Sequence, residues 1–152
     1  MKFLKAVRLS ARDRHLFGGE GALEEGAWVV SGGFAVCELS AGAHRHPECR
    51  CDVSFLGLAS RRRCSVAEVV EIDDSTFRSH VETLTRHLLG DWGAPSPAVA
   101  RAAAEDEVAY TVDLCESFSP EVWITVRRIV EQGAVKEHYS VFKRLLLGDH
   151  AL

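Results

Sequence analysis

At 152 residues and a net charge of −4, the chain is long enough to bury a core of its own and carries no excess of positive charge to suggest a nucleic-acid surface. Apolar residues make up 47% of it, which excludes a disordered polar segment. Lys2, Lys5 and Arg8 break up the start, so a secretory apolar stretch of about 7–15 residues is missing, and no run reaches the roughly 20 apolar residues of a membrane helix.

These exclusions point to a cytoplasmic protein built as one domain over residues 1–152. There the five cysteines, an odd number, stand as reduced thiols. Lys2–Leu9 reads as a first strand and Ser10–Gly26 as a long connection rich in Gly, Ala and charge. Ala27–Leu39 is strand-like, with Ser31-Gly32-Gly33 marking a bulge or tight turn inside it. Asp52–Ala59 and Cys64–Ile72 read as two strands joined by a hairpin connection at Ser60–Arg63.

Two helices follow. Asp74 and Ser75 offer oxygens to the free N–H groups of a first turn, and Phe77, Val81, Leu84 and Leu88 fall on one face of a 3.6-residue period. The spacing predicts a helix over Asp74–Leu89, closed by Gly90. Ser96 caps a second helix, Pro97–Ser117, with Pro97 at its first position, where a missing N–H costs nothing. Val99, Ala102, Ala103, Val108, Val112 and Cys115 form its expected apolar side, and Glu105, Asp106, Glu107 and Asp113 its expected solvated face. Carboxylates that do chemistry need a cleft and a perturbed pKa, and these show neither in the sequence. Glu121–Val130 and Ala134–Leu146 complete the chain as a hairpin turning at Gln132-Gly133. Strands, then two helices, then two strands is the order of an α+β fold. We expect an antiparallel β-sheet of five or six strands with the two consecutive helices packed on one face. Trp28, Phe55, Leu84, Val112 and Ile124 are the expected common core.

Three stretches carry a resemblance. They are Gly26-Ala27-Trp28-Val29-Val30-Ser31-Gly32-Gly33-Phe34; Ser54-Phe55-Leu56-Gly57, with the strand through Val69 and Val70; and Ala102–Tyr110, with Leu114-Cys115 after it. Together they resemble an uncharacterised bacterial family of small proteins of about 150 residues, a domain of unknown function. The resemblance implies one full-length domain and brings no activity with it. Gly32, Gly33 and Gly57 suit positions where a Cβ would clash, and Trp28, Phe34 and Phe55 suit a core.

His44-Arg45-His46-Pro47-Glu48-Cys49-Arg50-Cys51 departs from that pattern and holds the densest set of metal-ligand types in the chain. In extended chain, residues two apart share a side, so His44 with His46, and Cys49 with Cys51, form two chelating pairs hinged at Pro47. Two imidazoles and two thiolates satisfy tetrahedral zinc, and such soft ligands also suit cuprous copper. Cys–Cys spacing in structural zinc sites is usually wider, and the bland alternative is a polar loop.

Elsewhere the sequence favours structural roles. Cys115 reads as a small buried hydrophobe, and His80 and His87 as partly exposed helix residues off the i, i+4 spacing of a zinc pair. Arg61, Arg62 and Arg63, with Arg127 and Arg128, read as solvated charge without the interleaved aromatics of a nucleic-acid site. The expectation is therefore an accessory or interaction protein without catalysis of its own. Its partner would be another protein, with no nucleic acid and no membrane, and a homo-oligomer is compatible. A metal-binding protein using zinc or copper at His44, His46, Cys49 and Cys51 is the alternative; otherwise no cofactor is expected.

Overall fold

The structure, a computed structural model, describes residues 1–35 and 50–143. Among these residues seven strands form an antiparallel sheet. They are β1 (Lys2–Val7), β2 (Trp28–Val30), β3 (Phe55–Gly57), β4 (Arg63–Cys64), β5 (Val66–Glu71), β6 (Trp123–Glu131) and β7 (Ala134–Phe142), in spatial order β4-β3-β2-β1-β5-β6-β7. Among the described residues three α-helices accompany them: α1 (Ser10–Gly21), α2 (Asp74–Asp91) and α3 (Pro97–Glu116). No helix among the described residues is long and apolar enough to cross a membrane.

The α+β expectation holds, with more strands and one more helix than the sequence suggested. α1 replaces an expected connection. Its sequence carries little apolar periodicity, and Gly18 (φ 76°, ψ 171°) breaks it. What fixes it is tertiary: the carboxylate of buried Asp13 accepts from Leu9 N at 3.1 Å and from Ser65 Oγ at 2.8 Å. The expected strand Cys64–Ile72 is interrupted at Ser65. β4 pairs with β3, while β5 moves to the sheet centre between β1 and β6.

α2 starts at Asp74, where the sequence placed it, but the cap is the residue before it. Asp73 is its cap, accepting from Thr76 N at 2.7 Å, and the helix runs through Gly90, with the left-handed residue placed at Gly93 (φ 68°). Ser96 caps α3 as expected, accepting from Val99 N. Gln132 (φ 52°) and Gly133 (φ 78°) make the two-residue turn of the β6–β7 hairpin, which pairs from Trp123↔Phe142 to Glu131↔Ala134.

Alternation along β1 divides the core. Phe3 sits with Val30, Leu56 and Leu58, and onto this face pack Val81, Leu84 and Leu88 of α2 and Ala100, Ala104, Val108 and Val112 of α3. Leu4 sits on the opposite face with Val29, Phe55, Val69, Ile124 and Val126. The five expected core residues are thus not buried together. Leu84 and Val112 lie in the first set with half-buried Trp28 against it, and Phe55 and Ile124 lie in the second. Cys115 also joins the second set, so the last turns of α3 reach round the rim of the sheet.

The second face is the inside of a curl. In a flat sheet β2 and β6, separated by β1 and β5, would lie roughly 14 Å apart. Yet Arg128 of β6 hydrogen-bonds Ser31 at the end of β2.

Candidate functional site

The curl closes on a polar cluster. Ile124, Val126 and Arg128 alternate on the inner face of β6, which aims the Arg128 guanidinium across the sheet, where it is 5% exposed. Nη1 donates to Cys51 O (2.8 Å) and Ser54 O (2.6 Å). Nη2 donates to the carbonyl and, at 3.2 Å, to the hydroxyl of Ser31. Nε donates to Glu137 Oε2 at 2.6 Å, directly opposite on β7. Glu137 also accepts from Tyr110 of α3 at 2.6 Å and from Ser31 Oγ at 3.4 Å, while Tyr139 Oη lies 3.3 Å from Ser31 Oγ. Burial opposes the charge of Glu137, but hydrogen bonds from Tyr110 and Arg128 and the charge of Arg128 outweigh it, holding its carboxyl below the ordinary value.

Glu107 borders this cluster from α3. Its Oε1 accepts from Gly32 N at 2.9 Å, and one turn on Thr111 Oγ1 accepts from Ser31 N at 3.1 Å. Gly32 (φ 83°) brings the backbone close here, and a Cβ on it would lie 2.8 Å from Leu56 Cβ. Burial pushes the Glu107 carboxyl up to about 7; the Gly32 N–H and Arg128 oppose that rise, and Glu137 adds to it. The same residue lines a depression of about 410 Å³ with Asp106, Tyr110, Phe34, Leu88 and Ala103. Phe34, expected in the core, is 45% exposed and meets Trp92 edge to face at 5.6 Å. Tyr110 is 44% exposed at the other side. Glu107 therefore has the cleft and the perturbed pKa that its sequence context did not reveal.

A family model described as a family of unknown function matches residues 1–147. The chain belongs to that family, DUF6505. No curated protein and no solved structure matches it.

In this DUF6505 chain the residues singled out by sequence are dispersed. Three of the four proposed metal ligands, His44, His46 and Cys49, lie outside the described residues. Cys51 is buried in a 3-10 turn, Cys51–Val53, that Arg128 ties to the sheet. Among the described residues no three His, Cys, Asp or Glu side chains gather as a metal site. Cys115 is a buried hydrophobe as expected, and burial pushes its thiol up to about 12.

His80 and His87 are buried, not partly exposed. His87 Nε2 accepts from Trp92 Nε1 at 3.2 Å while Nδ1 meets Leu58 O at 3.1 Å, so the neutral ring donates from Nδ1. Asp91 lies 3.4 Å from the same Nε2, but an unprotonated nitrogen forms no ion pair. The arginines also divide. Arg61, Arg62 and Arg127 are exposed, whereas Arg63 and Arg128 are buried, and Arg63 donates to Ser54 Oγ and Ala35 O. Alternation from Ile124 through Val126 pointed to Arg128 as inward. Glu107, beside Ala104, Val108 and Thr111, carried the same signal on a helical period.

Proposed function

We propose that this DUF6505 protein is a bacterial, cytoplasmic accessory protein without catalysis of its own, and that it binds a partner protein at the depression between Phe34 and α3. The observation that carries this reading is the pair of exposed aromatic side chains, Phe34 and Tyr110, flanking an apolar hollow floored by Leu88 and Ala103. Exposed aromatic anchors beside a pocket are what binding hot spots are made of. Asp106 and Glu107 on the same wall favour a partner that offers an apolar or cationic side chain. The absence of catalysis is supported by where the reactive groups are spent. Arg128 and Glu137 are engaged with each other and with the chain. Burial holds the Cys64 thiol well above its ordinary value and Cys115 near 12, so neither supplies a thiolate. Burial pushes the Glu107 carboxyl up to about 7, but its neighbour Tyr110 is engaged, donating its hydroxyl to Glu137.

The test is affinity purification from the native host, comparing wild type with Phe34→Ala. One protein should be recovered in stoichiometric amount with wild type and lost with the variant. The purified pair should then show a dissociation constant raised at least about tenfold, or 1.4 kcal/mol, by the substitution. Identical recovery by both forms would sink the reading.

A second reading is a zinc or cuprous site at His44, His46, Cys49 and Cys51. It is favoured by Cys51 being buried and its backbone fixed by Arg128, which would give such a site one anchored ligand. Untagged protein should then retain metal after dialysis and lose it in Cys49→Ser/Cys51→Ser. Equal, negligible metal in both forms rejects it.

A further inference from the structure

On the outer face, away from the Arg128 cluster, a second cleft of about 440 Å³ opens between the first turns of α2 and the β3–β4 connection. That volume lies within the range of small-molecule sites, about 300–1,000 Å³. Its polar lining is almost entirely hydroxyl: Ser75, Thr76, Ser79 and Thr83 along α2, and Ser60 opposite. Its apolar floor includes Leu23, Trp28 and Leu58. None of the described residues lining it is Asp, Glu, Lys or Arg, in a chain in which 26% of residues are charged.

Ser60 Oγ accepts from Arg62 N at 3.3 Å and the Thr76 side chain hydrogen-bonds the Asp73 carboxylate, whereas the hydroxyls of Ser75, Ser79 and Thr83 are unspent among the described residues. Helical Ser and Thr commonly bond back to the carbonyl one turn earlier. Thr85 does so to Val81 O, and Thr111 does so to Glu107 O. The hydroxyls of Ser75, Ser79 and Thr83 have no such partner within the described chain. His80 lines the same cleft, is 3% exposed between Phe3 and Trp28, and leaves Nε2 without a hydrogen bond. Burial pushes its pKa down to about 4, so at neutral pH it too is uncharged. Gly57 keeps the cleft open at its turn, since a Cβ there would lie 2.9 Å from Ser60 O and 3.1 Å from Leu23 Cδ2.

We propose that this cleft binds an uncharged, hydroxyl-rich small molecule of the sugar or polyol class. A charged ligand would lose its hydration against a wall that offers no counter-charge. A sugar ring presents hydroxyls at its edge and C–H groups on its faces, which matches hydroxyls on one wall and an apolar floor on the other. Each Ser or Thr both donates and accepts, as each ligand hydroxyl does.

The test is a titration of the full chain, observed by nitrogen–proton correlation spectra. The probes are neutral monosaccharides and polyols (glucose, galactose, ribose, inositol), with glucuronate and glucosamine as charged counterparts. At least one neutral probe should shift the amides of residues 75–83, the Trp28 indole and the His80 ring nitrogens. Affinity should fall at least about tenfold in Ser79→Ala/Thr83→Val, whose fold is checked by its unchanged remaining spectrum. The charged counterparts should bind at least about tenfold more weakly. No shift with any neutral probe at about 10 mM, equal affinity of the double variant, or preference for a charged counterpart each overturns the proposal. Phe34→Ala should leave sugar binding unchanged, which separates this site from the partner surface.

Discussion

Inside the curl, Arg128 donates to three backbone carbonyls, one hydroxyl and one carboxylate, and Glu137, Tyr110 and Ser31 complete the set. On α2, the hydroxyls of Ser75, Ser79 and Thr83 face a cleft and bond to no described residue. The difference separates two uses of polar side chains. A group removed from water must be paired within the fold, and its pairing then holds distant strands together. A group left at a cleft wall contributes little to the fold and remains available to something else. The first kind should therefore answer to stability measurements, and the second to binding.

The sharpest way to break this contrast is Arg128→Met. It leaves Glu137 half-buried beside Tyr110 without its counter-charge and removes donors from Cys51 O, Ser54 O and Ser31 O. Breaking a buried pair by removing one partner costs about 3–5 kcal/mol. The urea midpoint should fall accordingly, and Arg128→Met/Glu137→Gln should recover part of the loss. A midpoint equal to wild type would show that the guanidinium does not hold the curl closed.

A smaller effect lies in pH, where Glu107 and His80 act in opposite directions. The folded-state pKa of Glu107 is raised from 4.5 to about 7, so the folded protein holds a proton that the unfolded chain has released. Stability then falls as pH rises from about 4.5 to 7. The folded-state pKa of His80 is lowered from 6.5 to about 4, so the unfolded chain takes up the proton first, and stability falls as pH drops from about 6.5 to 4. The two slopes oppose each other, each at most about 1.4 kcal/mol per pH unit, and His87, which burial also lowers, adds to the His80 side of the balance. Glu107→Gln keeps an acceptor for Gly32 N and should expose the His80 slope, with stability climbing from pH 4 to 6.5. It should also be more stable than wild type above pH 7, by about 1–3 kcal/mol. His80→Phe should tilt the profile toward the reverse slope, with His87 still opposing it. Parallel profiles for wild type and both variants would remove the physical basis for treating Glu107 as an acid with a raised pKa.

Sequence reading worked where side chains differ strongly in size or turn chemistry, and stopped where they do not. Val81, Leu84 and Leu88 fixed the phase of α2, and Gln132-Gly133 fixed the register of the last hairpin. α3 is rich in alanine, so no contrast distinguished Ala102 and Ala103, which are exposed, from Ala100 and Ala104, which are buried. α1 was invisible because its support, Asp13 to Leu9 and Ser65, is a tertiary contact rather than a local period. Half of the candidate site was legible in principle: Arg128 continues the alternation of Ile124 and Val126. The other half was not. Glu107 acquires its raised pKa through burial within the folded chain, and the Gly32 N–H that opposes the rise arrives from 75 residues away.

The smallest effect compares two serines. Ser31 is fully buried, takes two bonds from Arg128 and lies against Glu137 and Tyr139. Ser31→Ala keeps the carbonyl bond but takes the hydroxyl from Arg128 Nη2, from Glu137 and from Tyr139, so about 1–2 kcal/mol should be lost. Ser79 is exposed on α2 and bonds to nothing described in the chain. Ser79→Ala should change stability by no more than about 0.5 kcal/mol. The sign should favour the variant, because alanine is the better helix former by a few tenths of a kcal/mol. Thermal or urea melts of the two variants side by side measure the difference directly. If Ser79→Ala costs as much as Ser31→Ala, the α2 hydroxyls belong to the fold and not to a ligand. If Ser31→Ala costs nothing, the hydroxyl is a bystander and Arg128 closes the curl through the backbone carbonyls and Glu137 alone.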